Sequence, residues 1–343
     1  GVISNLKLPT TASSNNYRPL FTDIGSKKGE ELFYVSRSAT TPSNLLNNFK
    51  TDNTLKNLAL DTQLKLLNYF GYDLNLSTTL ALPSQLDAPA VPFNAMGASI
   101  HSLPVQMTYS GELDANGELK TAREQSVLYG SMEGALRTVD ASSGAEQMVF
   151  VPSEILNDPV ASKALRKSES DLNGVTAGIG GSWIVDSDYK VKSVSDDKTS
   201  VIASKMNVYG GMRMGGKSYY GLDMLVPTAP KFLFKITGGT GSYTRMGQTW
   251  SKPVLANIRY NNKITRVLIV GGGYDACYEN PRFVLGAANS EEFKIKNAAG
   301  VVIDDCKKNQ ADGNAVYIIN ADTGERIWSV SGDSKTGVAD IVN

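Results

Sequence analysis

Val127-Leu-Tyr129-Gly130-Ser-Met-Glu-Gly134-Ala135-Leu-Arg-Thr-Val139-Asp140-Ala-Ser-Ser-Gly144-Ala-Glu146-Gln-Met-Val-Phe150 reads as three short strands separated by two glycine turns. One apolar run ends at Gly130 and a second runs from Ala135 to Asp140. Asp140-Ala-Ser-Ser-Gly144 then reverses the chain, with an acidic side chain to cap the turn and a glycine for its positive φ. Glu146 to Phe150 closes the unit. Outward from this stretch the pattern occurs twice more. An opener at Ser102-Leu-Pro104-Val105 has counterparts at Ser182-Trp183-Ile-Val185 and Ser251-Lys-Pro253-Val254, at spacings of 80 and 69 residues. Second strands end in glycine at Val208-Tyr209-Gly210 and Val267-Leu-Ile-Val270-Gly271. Third strands are Tyr219-Tyr220-Gly-Leu222-Asp223 and Ala315-Val316-Tyr317-Ile-Ile319-Asn320. Fourth strands are Phe232-Leu-Phe234-Lys-Ile236 and Arg326-Ile327-Trp328-Ser-Val330.

Four short strands per unit with glycine turns describe a propeller blade, so the expected fold class is all-β, a β-propeller with irregular blades and a short helical N-terminal segment. Units of this length exceed the ~40–50 residues of common propeller repeats. Long inserts are therefore expected at 155–180, 187–200 and 275–312, where binding function tends to sit. Residues 1–95 differ in texture. The first fifty are rich in Ser, Thr, Asn and Pro, and Leu55, Leu58, Leu60, Leu64, Leu66 and Leu67 lie at helical spacing within Leu45 to Tyr72. This predicts a lead-in, 1–95, with one or two helices packed on the disc, and blades over 96–343. Three blades do not close a ring of four to eight. Strands from 1–95 or a continuation past Asn343 are expected to complete it, the propeller being read as truncated at its C-terminal end.

The chain of 343 residues is 41% hydrophobic and 20% charged, an ordinary globular composition that can bury a large core. Its 34 basic and 34 acidic residues cancel, so no overall field holds nucleic acid or an anionic membrane. No run approaches the ~18 apolar residues of a membrane span. No signal peptide opens the sequence, so an export signal is expected upstream of Gly1. Cys277 and Cys306, 29 positions apart, flank a Gly/Asn/Lys-rich stretch. That suits a disulfide closing a loop insert in an oxidising compartment, the alternative being two unrelated buried thiols. Two cysteines and one histidine are too few for a usual zinc site.

Three motifs raise the question of chemistry. Gly211-Met-Arg-Met-Gly-Gly216-Lys217-Ser218 matches the phosphate-binding G-x-x-x-x-G-K-[ST] pattern, but such a loop works at a helix N-terminus, and the β-like Tyr219-Tyr220-Gly221 follows here. A glycine turn between strands is the reading that fits the repeat. His101 is the only histidine, so a nucleophile–His set has to be built around it. Beside a repeat opener, a hydrogen-bonded structural role is expected instead. Asp114-Ala-Asn116-Gly117-Glu118 has the first half of a calcium loop without its distal bidentate acid, and reads as a hairpin turn. The acidic pairs Asp304-Asp305 and Asp186 with Asp188 read as solvated loops. No catalytic, cofactor-binding or metal-ligating residue is therefore assigned.

Tyr129 to Glu154, ending in Pro152-Ser-Glu154, resembles the signature blade of the PilC/PilY family, "NDG-x-LH-x-F-D-x-x-TG-x-E" followed by "P-x-E". Met96-Gly97-Ala-Ser-Ile-His101-Ser102-x-Pro104 resembles the family's "GD-x-x-HS-x-P" opener. Gly215-Gly216-Lys-Ser-Tyr219-Tyr220-Gly-Leu222-Asp223 resembles its "GG-x-x-YYALD" strand, and Ile269-Val-Gly271-Gly-Gly-Tyr274-Asp275 its "GNGYD"-like end. The motifs keep the family's order from about residue 90 to the C-terminus. Met132-Glu133 replaces the family's Asn-Asp and Arg137-Thr138 its His-Ala, both read as changes within a turn and a strand.

The resemblance implies the propeller part of an exported type IV pilus tip factor, at the surface of a Gram-negative bacterium. Such a factor opposes pilus retraction and supports attachment and twitching motility without catalysis. It implies minor pilins as partners, an unspecified surface receptor, and long inserts displayed by rigid blades, one pinned by Cys277–Cys306. The family's Asp-rich calcium loop is not found here, so calcium is expected only in the full-length protein. Asp322-Thr323-Gly324-Glu325-Arg-Ile-Trp328 also resembles the tryptophan-docking repeat of quinoprotein (PQQ) propellers, and a dehydrogenase of that type is the alternative. A glycan-binding propeller using Trp183, Tyr219, Tyr220 or Trp250 is a third reading, although such aromatics are more often core.

Overall fold

A computed structural model describes residues 6–9, 17–75, 78–92, 96–158, 161–165, 177–195, 198–287, 295–296, 302–304 and 306–343. Strands β1 (Leu20–Thr22) and β2 (Phe33–Tyr34) and helices α1 (Pro42–Thr51) and α2 (Leu60–Tyr69) come first. Thr41 starts α1 by accepting a hydrogen bond from the Asn44 amide, with proline at the first helical position.

Three antiparallel meanders of four strands then follow, one for each repeat. The first is β3 (Val105–Leu113), β4 (Leu119–Gly130), β5 (Leu136–Asp140) and β6 (Glu146–Phe150). After a short helix α3 (Ser153–Asn157) comes the second: β7 (Trp183–Ser195), β8 (Lys198–Gly211), β9 (Ser218–Asp223) and β10 (Lys231–Thr237). The third is β11 (Val254–Tyr260), β12 (Lys263–Gly271), β15 (Ala315–Asn320) and β16 (Arg326–Gly332), edged by β17 (Ala339–Val342). Its insert carries a small ladder of β13 (Ile295–Lys296) on β14 (Val302–Asp304). The chain is thus mostly β.

The alternation of side chains along the second meander explains the stacking. Val208, Tyr220 and Leu222 point into one core with Leu128, Leu136 and Phe150 of the first unit. Their neighbours Tyr209 and Tyr219, with Phe234 and Ile236, point into another with Leu268, Val270, Tyr317 and Ile319 of the third. A sheet buried on both faces is apolar at consecutive positions, which is why these strands read as runs and not as alternations. Each fully buried Leu, Ile or Phe contributes about 1.5–3 kcal/mol relative to exposure. Between units two and three the ring of Phe234 is flanked by glycine. A Cβ on Gly221 or on Gly324 (φ 72°) would stand 2.6 Å from it.

One feature departs from the sequence reading. Residues 187–200, expected as a loop insert, belong to the outer half of the β7–β8 hairpin, with 196–197 outside the description. That hairpin pairs with the tip of β3, Ser110 to Leu113 against Ile202 to Thr199, so one continuous ladder crosses from the first unit to the second. The N-terminal segment also joins these units. β1 lies parallel to β6, and residues 29–31 bond β10 through Gly29 N to Phe232 O (2.8 Å) and Phe232 N to Glu30 O (2.9 Å).

Beneath that seam, the two departures from the family signature prove to be interior groups. Glu133, Arg137, Glu146 and Arg18 are all buried. Arg18 donates to both Glu146 oxygens (3.0 and 2.8 Å), Arg137 donates to Glu146 (2.5 Å), to Glu133 and to the Tyr69 hydroxyl (2.8 Å). Burial works against the Glu133 charge, but Arg137 outweighs it and holds the carboxyl below its ordinary value.

Candidate functional site

In every unit the first strand starts, the second ends, the third starts and the fourth ends at the same end of the sheet, as the registers Val105 with Leu128, Gly130 with Leu136, and Leu136 with Phe150 require. The connections after β6 and β10 and the glycine turns therefore converge on one face. The opener serines hold it together: Ser102 Oγ accepts from the Gly130 amide (2.9 Å) and Ser251 Oγ from the Gly271 amide (3.1 Å).

A cleft of about 250 Å³ opens on this face, lined by residues of all three units. Glu154 and Asp158 come from α3 and its end, Met214 to Lys217 from the second unit's glycine turn, and Gln248 and Ala276 from the third unit. Glu154 Oε2 accepts from Ser218 Oγ (2.5 Å) and the Tyr220 hydroxyl (2.8 Å) and pairs with Lys235 Nζ (2.9 Å). Burial, reinforced by that carboxylate, pushes the Tyr220 hydroxyl well above its ordinary value, so it remains a donor. Lys217 Nζ reaches Asp312 Oδ2 (3.1 Å), which also pairs with Lys308 (3.0 Å). Lys308 in turn meets Asp275 (3.0 Å), whose other oxygen caps the Cys277 amide (3.1 Å). This chain of charges docks the third unit's insert beside the cleft, and Cys277 and Cys306 are bonded at its base, Cα atoms 5.7 Å apart, packed on Phe283.

Next in sequence to Met214 of the lining, Arg213 takes a left-handed backbone (φ 56°), and its guanidinium lies 4.4 Å over the Trp250 ring. Trp250 Nε1 donates to Gln248 Oε1 (3.1 Å), and Tyr274 flanks the indole at 5.5 Å. Trp250 is 39% exposed and Met214 45%.

The sequence motifs distribute as follows. Gly211 to Ser218 ends β8, turns, and enters β9, with no helix at Lys217. His101 is exposed and makes no hydrogen bond among the described residues, contrary to the structural role expected for it. Asp114 Oδ1 accepts from the Asn116 (2.8 Å) and Glu118 (3.0 Å) amides, a capped hairpin turn. No described group of three or more His, Cys, Asp or Glu is arranged to hold a metal ion. Asp186 is no solvated loop residue: 3% exposed on β7, it bonds Lys205 (2.5 Å) and Arg266 (2.7 Å) of the third unit. Asp305 lies outside the described residues. Of the four candidate glycan-stacking aromatics, Trp183, Tyr219 and Tyr220 are core, each at most 2% exposed, and Trp250 reaches solvent. Arg213 was missed; its signal was a bulky residue inside a glycine turn.

No described helix is long and apolar enough to cross a membrane. No family model matches the sequence, and no curated protein does. Among solved structures, the Pseudomonas aeruginosa PilY1 C-terminal domain is similar to 63% of this chain at 20% identity and a TM-score of 0.36. The chain spans 31% of that structure's length.

Proposed function

We propose that this chain belongs to an exported, non-catalytic type IV pilus factor of the PilC/PilY kind, acting at the pilus tip to oppose retraction and support surface attachment and twitching. The reading rests on one observation. The family's motifs keep the family's order and fall on strands and turns of successive units: the opener before β3, the signature over β4 to β6, the paired tyrosines in β9 and the glycine end on β12. Minor pilins are the proposed assembly partners. The stacked units are proposed to form part of a closed propeller whose inserts, including the one pinned by Cys277 and Cys306, present the adhesive surface.

The test is deletion of the gene in the source bacterium, with surface pili counted there and in a strain that also lacks the retraction motor. Few pili that return when retraction is removed are expected. Normal piliation and twitching in both strains would reject the reading. The quinoprotein alternative makes a separate demand, that added pyrroloquinoline quinone binds and supports alcohol oxidation.

A further inference from the structure

We infer that the Arg213–Trp250 pair and the cleft behind it bind a carboxylated sugar, of the sialic-acid or uronic-acid class, at the end of a glycan chain. On this face Lys217, Lys235 and Lys308 are each paired with a carboxylate. Arg213 has no acidic partner among the described residues. Stacked by one face on the indole, a guanidinium keeps its edge donors free, and that edge matches a carboxylate bidentately. Its left-handed backbone is a conformation that costs a non-glycine residue stability, which is retained mostly where function demands it.

The surroundings select a sugar. Trp250 is held by Gln248 and flanked by Tyr274, so its exposed surface is a fixed apolar platform for the C–H face of a ring. The cleft lining also carries the polar side chains of Glu154, Asp158, Lys217 and Gln248, each held in place by protein partners and so fixed around a ring that bears hydroxyls. At about 250 Å³ the cleft falls just below the ~300–1,000 Å³ of pockets for drug-sized ligands, room for one sugar unit. An extended peptide is disfavoured because the local amides are already bonded: Gly215 to Met212 O (3.1 Å), Thr249 to Gly216 O (3.2 Å) and Gln248 to Tyr274 O (2.8 Å). No strand edge is left there to extend.

The site stands apart from the pilus assignment, since glycan binding by the purified chain and piliation of the deletion strain are separate readouts. Titration calorimetry of the full chain with 3′-sialyllactose and with a glucuronate-terminated disaccharide is the test, against neutral lactose and an acetylated tetrapeptide with a free carboxylate. At least one acidic sugar is expected to bind about tenfold or more tightly than lactose, and Arg213→Ala and Trp250→Ala to weaken it by about tenfold or more. Arg213→Gly removes the guanidinium while suiting the left-handed backbone, so it should lose binding with no fall in Tm. Absence of binding by both acidic sugars, equal binding of lactose, or full affinity in Arg213→Gly overturns the proposal. Tighter binding of the tetrapeptide also overturns it and assigns the cleft to a peptide carboxylate.

Discussion

The Asp186 carboxylate of the second unit receives the Arg266 guanidinium of the third at 2.7 Å, in a position where Asp186 is 3% exposed. Burial opposes its charge, yet the hydrogen bonds from Arg266 and Lys205 prevail and lower its pKa. A group whose folded value lies below its unfolded one contributes stability that is complete above the unfolded value, near 3.8, and is lost as pH falls through the folded value. Asp186→Asn should therefore cost about 2 kcal/mol at pH 7, and its urea midpoint should move toward wild type as pH falls below the unfolded value of 3.8.

The Arg18, Arg137, Glu133 and Glu146 cluster predicts a larger loss. Glu146→Gln leaves two buried guanidinium groups facing a neutral amide, and removing one partner of a buried pair costs about 3–5 kcal/mol. Equilibrium urea unfolding should show a loss of that size, against less than about 0.5 kcal/mol for Ser142→Ala on the nearby exposed turn.

Gly324→Ala tests the seam between units two and three. Its Cβ would enter a left-handed position and meet Phe234, so about 2–4 kcal/mol is expected from strain and overpacking together. Gly337→Ala, at similar φ (70°) with open space around it, should cost only the backbone part. Equal losses in the two variants would show that Phe234 gives way freely.

Alkaline pH acts through the tyrosines. Burial raises the Tyr69, Tyr209, Tyr219 and Tyr220 hydroxyls above their ordinary value of 10.0. Stability from a raised group is full below the unfolded value and is lost as pH rises beyond it. Absorbance at 295 nm should show these four ionising only together with unfolding, above pH 10.

Reduction of the disulfide should lower stability by about 3.6 kcal/mol, the chain-entropy value for a loop closed by residues 29 positions apart, measured as a shift in urea midpoint with dithiothreitol.

The repeat was legible because its turns are chemically explicit: Asp140 to Gly144 and Asn320 to Gly324 each carry a capping side chain and a glycine in the left-handed region. The outer β7–β8 hairpin was not, since the alternation Tyr189-Lys-Val191-Lys lasts only two periods and all of Tyr189 to Ser193 is exposed, so no buried face marks it as a strand. Glu133 and Arg137 looked like turn and strand variation because the groups that make them a network lie far away in sequence. Tyr69 stands 68 residues before Arg137, and Arg18 stands 128 before the Glu146 they share. Trp250 and Trp183 were indistinguishable as letters. One precedes its strand and meets solvent; the other opens β7 with its ring against Gly210.

The parallel seat of β1 on β6 has a consequence for how the molecule is made. Chain growth delivers Leu20 and Phe21 first, while their partners Val149 and Phe150 come an entire unit later. Until then those apolar groups have only their local partners, such as Tyr34 stacked on Phe21, and Arg18 lacks the carboxylate of Glu146. The β1 segment therefore stays incompletely paired until β6 is made, and a chaperone that shields its apolar side chains during synthesis has a clear moment to let go, when β6 is complete.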